Sequence, residues 1–162
     1  MKTAIIYYSL EGNMEYIAKK IAKDNIVDMI KLVPSKEYPT GKFSKYFWGG
    51  KSVTFGEKPK LLNDKIILEQ YDTLIIGTPI WSGTFTPPLN TFLHDYKIYG
   101  KKIILVATHA GGDPSRCFTK MKEFLKDNNI LTTIAFKNPI NSQDKSEVEE
   151  KINDIKLILQ KV

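Results

Sequence analysis

Three short polar turns hold the residues that could do chemistry. The first is Ser9-Leu10-Glu11-Gly12-Asn13, followed by Met14, Ile17, Ala18 and Ile21 at the i, i+3, i+4, i+7 spacing of an apolar helix stripe. A turn that opens directly onto a helix leaves the first backbone N–H groups without intrahelical acceptors, and the aligned peptide dipoles add partial positive charge there. Such a turn can hold an anion. One glycine is too few for a dinucleotide fingerprint, and the Gly-Lys-Ser/Thr ending of a triphosphate loop is absent. A ligand with a single phosphate is the better match. The second turn, Thr78-Pro79-Ile80-Trp81-Ser82-Gly83-Thr84, sets a tryptophan among small residues. The third, Thr108-His109-Ala110-Gly111-Gly112-Asp113-Pro114, offers an imidazole and two glycines. Trp81 either packs as core or shows a face to a ligand. Asp113 either joins a site or caps the helix that Pro114 begins. No nucleophile with a positioned base stands out.

Each turn follows an apolar run. Ala4 to Tyr8, Tyr71 to Gly77 and Lys102 to Thr108 read as strands buried on both faces. Asn25 to Val33 alternates and is stopped by Pro34; Leu131 to Phe136 is the fifth expected strand. Helices are expected between them. One begins at Pro87-Pro88 with Leu89, Phe92, Leu93 and Tyr96 inward, one carries Cys117, Met121, Phe124 and Leu125, and one runs from Gln143 to Gln160 with Val148, Ile152, Ile155 and Leu159 buried. Strands alternating with helices predict an α/β doubly wound, five-stranded parallel sheet with helices on both faces. Ligands of such sheets sit at the strands' carboxyl ends, at the switch in strand order. The three turns share that edge if the order is 2-1-3-4-5.

Composition sets the outer bounds. A length of 162 residues, 42% hydrophobic and 26% charged, suits one globular domain. No apolar run near the first residues is long enough for a secretory core or a membrane span, and one cysteine, Cys117, fits a reducing compartment, so a cytoplasmic protein is expected. Two histidines and one cysteine do not make a zinc site. The net charge of +6 comes from 24 basic and 18 acidic residues, and Arg116 is the single arginine, which argues against base-specific nucleic-acid binding. The window Lys36 to Lys60 holds six lysines and two glutamates and so supplies +4 of that charge. This excursion, about residues 35–64, also carries Tyr38, Phe43, Tyr46, Phe47, Trp48 and Phe55, with a short helix expected over Phe43 to Phe47 that ends at Gly49-Gly50. Either its aromatics pack on the domain while its lysines stay wet, or it forms a docking surface beside the ligand.

Taken in this order, the motifs resemble those of the flavodoxins. Ser9 to Met14 is similar to the family's phosphate loop, the segment YDTLIIGTPIWSGTFTPPLNTFL resembles its tryptophan loop, and THAGGD resembles the third loop beside the flavin ring. The resemblance covers nearly the whole chain apart from residues 35–64. It implies a flavodoxin-like fold, FMN as cofactor, and electron transfer between redox partner proteins by a monomer or weak dimer. An FMN-dependent NAD(P)H oxidoreductase acting on quinones is the alternative. Carried over residue by residue, Ser9, Leu10, Glu11, Gly12, Asn13 and Met14 would surround the phosphate. Thr78, Pro79, Ile80, Trp81, Ser82 and Gly83 would line one face of the ring, with Trp81 stacked on it. Thr108, His109, Ala110, Gly111, Gly112 and Asp113 would approach the other side. Glu11 and Met14 depart from the family's threonines, so Glu11 is expected to turn outward. The basic net charge also departs from the usual acidic flavodoxin and points to a different partner.

Overall fold

The computed structural model describes residues 1–23, 27–40 and 56–162. Five parallel strands alternate with helices: β1 (Thr3–Tyr7), α1 (Asn13–Ala22), β2 (Val27–Lys31), β3 (Thr73–Pro79), α2 (Pro87–Asp95), β4 (Lys102–His109), α3 (Ser115–Phe124), β5 (Asn129–Lys137) and α4 (Lys145–Lys161). Short 3-10 turns at Leu68–Gln70 and Pro139–Asn141 complete the described elements. The sheet order is β2-β1-β3-β4-β5, as the turns required. Phe43, Tyr46, Phe47, Trp48 and Phe55, the short helix expected among them, and the expected strand start at Asn25 all lie outside the described residues.

The apolar runs become β1, β3 and β4, the three inner strands, because a parallel sheet covered on both faces has no solvent side. Alternate side chains then separate into two cores. Ile5, Tyr7, Ile75, Ile104 and Val106 meet Met14, Ile17 and Ile21 of α1 and Val148, Ile152 and Ile155 of α4. Ile6, Tyr8, Leu74, Ile76 and Leu105 meet Leu89 and Phe92 of α2 and Cys117 and Met121 of α3. The alternating strand β2 is an edge, with Met29 exposed, and it ends at Lys31, two residues before Val33. Leu159 and Tyr96 are only partly buried, and Phe124 lies on the surface with its ring edge-on to Phe85 and His94. Each sits at the end of a helix, where the apolar stripe runs past the sheet it packs on.

The base of the excursion is fastened to the domain. An antiparallel bridge joins Pro34 and Leu61, the Asn63 side chain pairs with the backbone of Val33 and Lys31, and Asn90 of α2 donates to the carbonyls of Gly56 and Glu57. Tyr38 is buried against Tyr8 and Trp81, whereas Lys36, Lys58 and Lys60 are exposed. Within the described part, Tyr38 packs on the domain and these three lysines stay wet.

Gly77 lies in the central strand under α1. A Cβ there would come within 2.8 Å of Met14 Cε, 2.9 Å of its sulfur and 3.2 Å of Tyr7 Cβ. The thioether can swing away but Tyr7 Cβ, fixed to its strand, cannot. Gly77→Val is expected to cost about 1–3 kcal/mol, the usual penalty of overpacking, read as a lower urea midpoint with an unchanged m-value.

Candidate functional site

At the switch point β1 has β2 on one side and β3 on the other, so the connections leaving β1 and β3 pass to opposite faces and a cleft opens between them. The cleft is open to solvent, and about 700 Å³ of space, part of it open solvent, lies between its walls. Its walls are Ser9, Leu10, Glu11, Asn13 and Met14 after β1, Pro79, Ile80, Trp81 and Ser82 after β3, Thr108, His109 and Ala110 at the end of β4, and Asn138 after β5. All three turns singled out by sequence therefore reach one place.

The first turn keeps its donors. Gly12 is the N-cap of α1 at φ 89°, the left-handed region that suits glycine, and its carbonyl accepts the first helical bond from the Tyr16 N–H at 2.8 Å. The Glu15 N–H donates to Ser9 Oγ at 3.2 Å, leaving the Ser9 hydroxyl proton available to another acceptor. The N–H groups of Gly12, Asn13 and Met14 have no acceptor among the described residues. Asn13 Oδ1 accepts from the Ile140 N–H at 3.2 Å and so joins the turn to the loop after β5. Glu11 is exposed and borders the cleft.

Glu15, one turn into α1, fixes the helix to the sheet edge. Lys31 of β2 reaches it at 2.8 Å and Lys19 at 2.9 Å, and these two hydrogen bonds hold its carboxyl down to about 2. On the other side, burial and then the charge of Glu15 push the Tyr7 phenol up to about 12. A depressed carboxyl contributes stability that is complete above its unfolded value and is lost as pH falls through the folded one. The contribution of Glu15 should therefore fade from near pH 4.5 down to about pH 2. With both lysines largely exposed, solvent screening limits it to roughly 1 kcal/mol. Glu15→Gln should lower the melting temperature at pH 7, and the difference from the parent should close as melts are taken toward pH 2.

The second turn is a tight reversal. Trp81 and Thr84 exchange backbone hydrogen bonds of 2.9 and 3.1 Å around Ser82 (φ 51°) and Gly83 (φ 76°), the two positive φ values of a type I′ turn. Trp81 meets Tyr8 edge-on at 5.8 Å and Tyr38 at 5.3 Å between ring centroids, and it also lines the cleft. It is thus both packed and presented. Gly83 stays outside the lining, beside Arg116 of α3. Thr78 does not reach the cleft: it is fully buried, its hydroxyl donates to the Pro79 carbonyl or pairs with Thr86 Oγ1 at 3.1 Å, and its oxygen accepts the Thr86 N–H. Its role is to fasten the start of α2 under the turn.

In the third turn the residues divide. Thr108, whose carbonyl accepts from the Ile80 N–H at 2.8 Å, and His109 and Ala110 line the cleft, and His109 Nδ1 is buried without a hydrogen-bond partner among the described residues. Gly111, Gly112 and Asp113 are exposed and stand off it, with open space where a Cβ of either glycine would be. Asp113 serves the helix end: its carboxylate accepts from the Ser115 N–H at 3.0 Å and from the Ser115 hydroxyl, which holds the carboxyl below its usual range. Asn138 is the cleft residue that the sequence reading missed. Its one sequence signal is an Asn-Pro pair directly after a strand, which marks a turn and nothing about a site.

Among the described residues no helix is long and apolar enough to cross a membrane. No match was found among curated proteins. Solved structures are similar along almost their whole length. The flavoprotein of Lactobacillus acidophilus NCFM in complex with FMN is 24% identical with a TM-score of 0.72, over 92% of this chain and 97% of that one. The apo-form of the Lactobacillus acidophilus NCFM flavoprotein is 25% identical with a TM-score of 0.60, over 93% and 96%. Oxidised Flavodoxin 2 from Bacillus cereus is 18% identical with a TM-score of 0.61, over 100% of both chains. The flavodoxin family profile matches residues 2–154, and with a match of that extent on this strand order the chain belongs to the flavodoxin family.

Proposed function

We propose that the cleft binds FMN and that the protein carries electrons between larger redox proteins. The observation that supports this best is the convergence, at one switch point, of an unused row of N–H donors and a tryptophan-bearing turn. The donor set suits a phosphate monoester: Gly12, Asn13 and Met14 would give backbone N–H groups and Ser9 its hydroxyl proton, at the positive end of α1. Leu10, Ile80 and Trp81 give the apolar surface that a flavin ring needs on one side, with His109 and Ala110 on the other. The buried Nδ1 of His109 lacks a partner among the described residues, and a polar atom of the ring would supply it. FMN brings the redox chemistry; the chain binds it, orients it and shields it from water.

The net charge of +6 suits partners with acidic docking faces, since complementary charge speeds encounter and suppresses wrong pairs. The test begins with colour. Purified protein should be yellow, hold one FMN per chain, release it on denaturation and accept electrons from a flavoprotein reductase. Colourless protein that takes up no added FMN would refute the cofactor. Steady oxidation of NADH or NADPH with a quinone, without any reductase, would replace the carrier role with that of an oxidoreductase.

A further inference from the structure

The loop after β5 reaches the cleft where no motif marked it. Asn138 stands in the left-handed region at φ 41°, which asparagine tolerates better than most residues. Its N–H donates to the His109 carbonyl at 2.8 Å and its carbonyl accepts from the Asn141 N–H at 3.0 Å. The backbone is thus fully used in holding the loop, while the side-chain carboxamide makes no hydrogen bond to any described residue. Two bonds fix its place. The Ile140 N–H to Asn13 Oδ1 ties this loop to the turn before α1, and the Asn138 N–H ties it to the loop of His109. Asn138 therefore borders the cleft between the anion-holding turn and the loop expected beside the ring.

We infer that the Asn138 carboxamide recognises the hydroxyl-bearing chain that joins the phosphate of the ligand to its ring. The inference rests on the reading of the cleft as an FMN site. A polyol chain is recognised best by a group that both donates and accepts, since each hydroxyl does both; a carboxamide has two N–H donors and an acceptor oxygen, and carries no charge. Nearby polar side chains are partly committed: Ser9 Oγ accepts from the Glu15 N–H and its proton is assigned to the phosphate, Asn13 Oδ1 accepts from the Ile140 N–H, and the Thr78 and Thr86 hydroxyls pair with each other. The carboxamide of Asn138 has its full capacity left.

Three flavins separate the parts of the ligand: FMN has ring, chain and phosphate, riboflavin has ring and chain, and lumiflavin has the ring alone. The variant is Asn138→Gly, which removes the carboxamide and leaves φ 41° accessible. Apo-protein of parent and variant would be titrated with all three by fluorescence, with thermal melting as a check on folding. Asn138→Gly should weaken FMN and riboflavin alike, by about tenfold, the usual worth of one or two neutral hydrogen bonds, and leave lumiflavin within about twofold. A second variant, Asn138→Asp, keeps acceptors but sets a charge near the phosphate path, and should weaken FMN more than riboflavin. Equal loss for all three flavins, or no loss for any, would overturn the inference. A parent protein that binds none of them would instead sink the FMN reading, and this one with it.

Discussion

Trp81→Ala should weaken FMN by roughly tenfold to a hundredfold and release the fluorescence that the bound flavin loses. Aromatic contact beyond plain area burial is worth about 0.5–1.5 kcal/mol, and the apolar area of an indole taken out of the cleft adds a comparable amount; at about 1.4 kcal/mol per decade the sum gives that range. The substitution also has a cost without ligand. Trp81 has Tyr8 and Tyr38 against it, both nearly inaccessible, and removing the indole leaves those two rings without their common neighbour. Apo-protein stability should therefore fall as well, and Trp81→Phe, which keeps a ring on the turn, should recover part of both losses. Flavin titration with denaturant unfolding of the apo-protein separates the two effects. The same dissociation constant and the same quenching in Trp81→Ala would assign the residue to the core alone.

Strands, helices and their buried faces were legible because period decides them. An unbroken apolar run such as Leu74 to Ile76 has no solvent face to offer, and the spacing of Met14, Ile17, Ala18 and Ile21 fits one side of a helix and nothing else; all of these are fully buried. Single side chains near the cleft were less legible, because tertiary partners decide them. Thr78 reads like any hydroxyl beside a ligand loop, and only the fold brings Thr86 across to occupy it. Gly111 and Gly112 read as room for close approach, yet they lie past the point where the chain has left the cleft for α3. Asp113 followed by Pro114 and Ser115 had two readings; it stands off the cleft, bonded to Ser115, the first residue of α3, whose N-cap is Pro114. Asn138 had no local signal, since its place depends on β5 pairing with β4 so that the loop lies against His109. Local pattern was enough for the scaffold; the site needed the crossing of distant segments.

Gly12 is where local conformation and the proposed phosphate site coincide. There is room for a side chain, as a Cβ would meet only Ile140 Cδ1, at the ordinary distance of 3.5 Å. Bulk is not the obstacle. The backbone is, at φ 89°, where a β-branched residue is strained by about 1–3 kcal/mol. Gly12→Val can relieve that strain only by turning its peptide, which would shift the neighbouring N–H donors and draw the Gly12 carbonyl away from the Tyr16 N–H that closes the first turn of α1. Affinity for FMN should fall roughly tenfold or more, with riboflavin, which lacks the phosphate, affected much less. Gly12→Asn, which tolerates the left-handed region, should fall between the parent and the valine variant. Parallel titrations with FMN and riboflavin give the decisive comparison. If Gly12→Val loses stability but binds both flavins as the parent does, the phosphate is held elsewhere than on the N–H groups of Gly12, Asn13 and Met14.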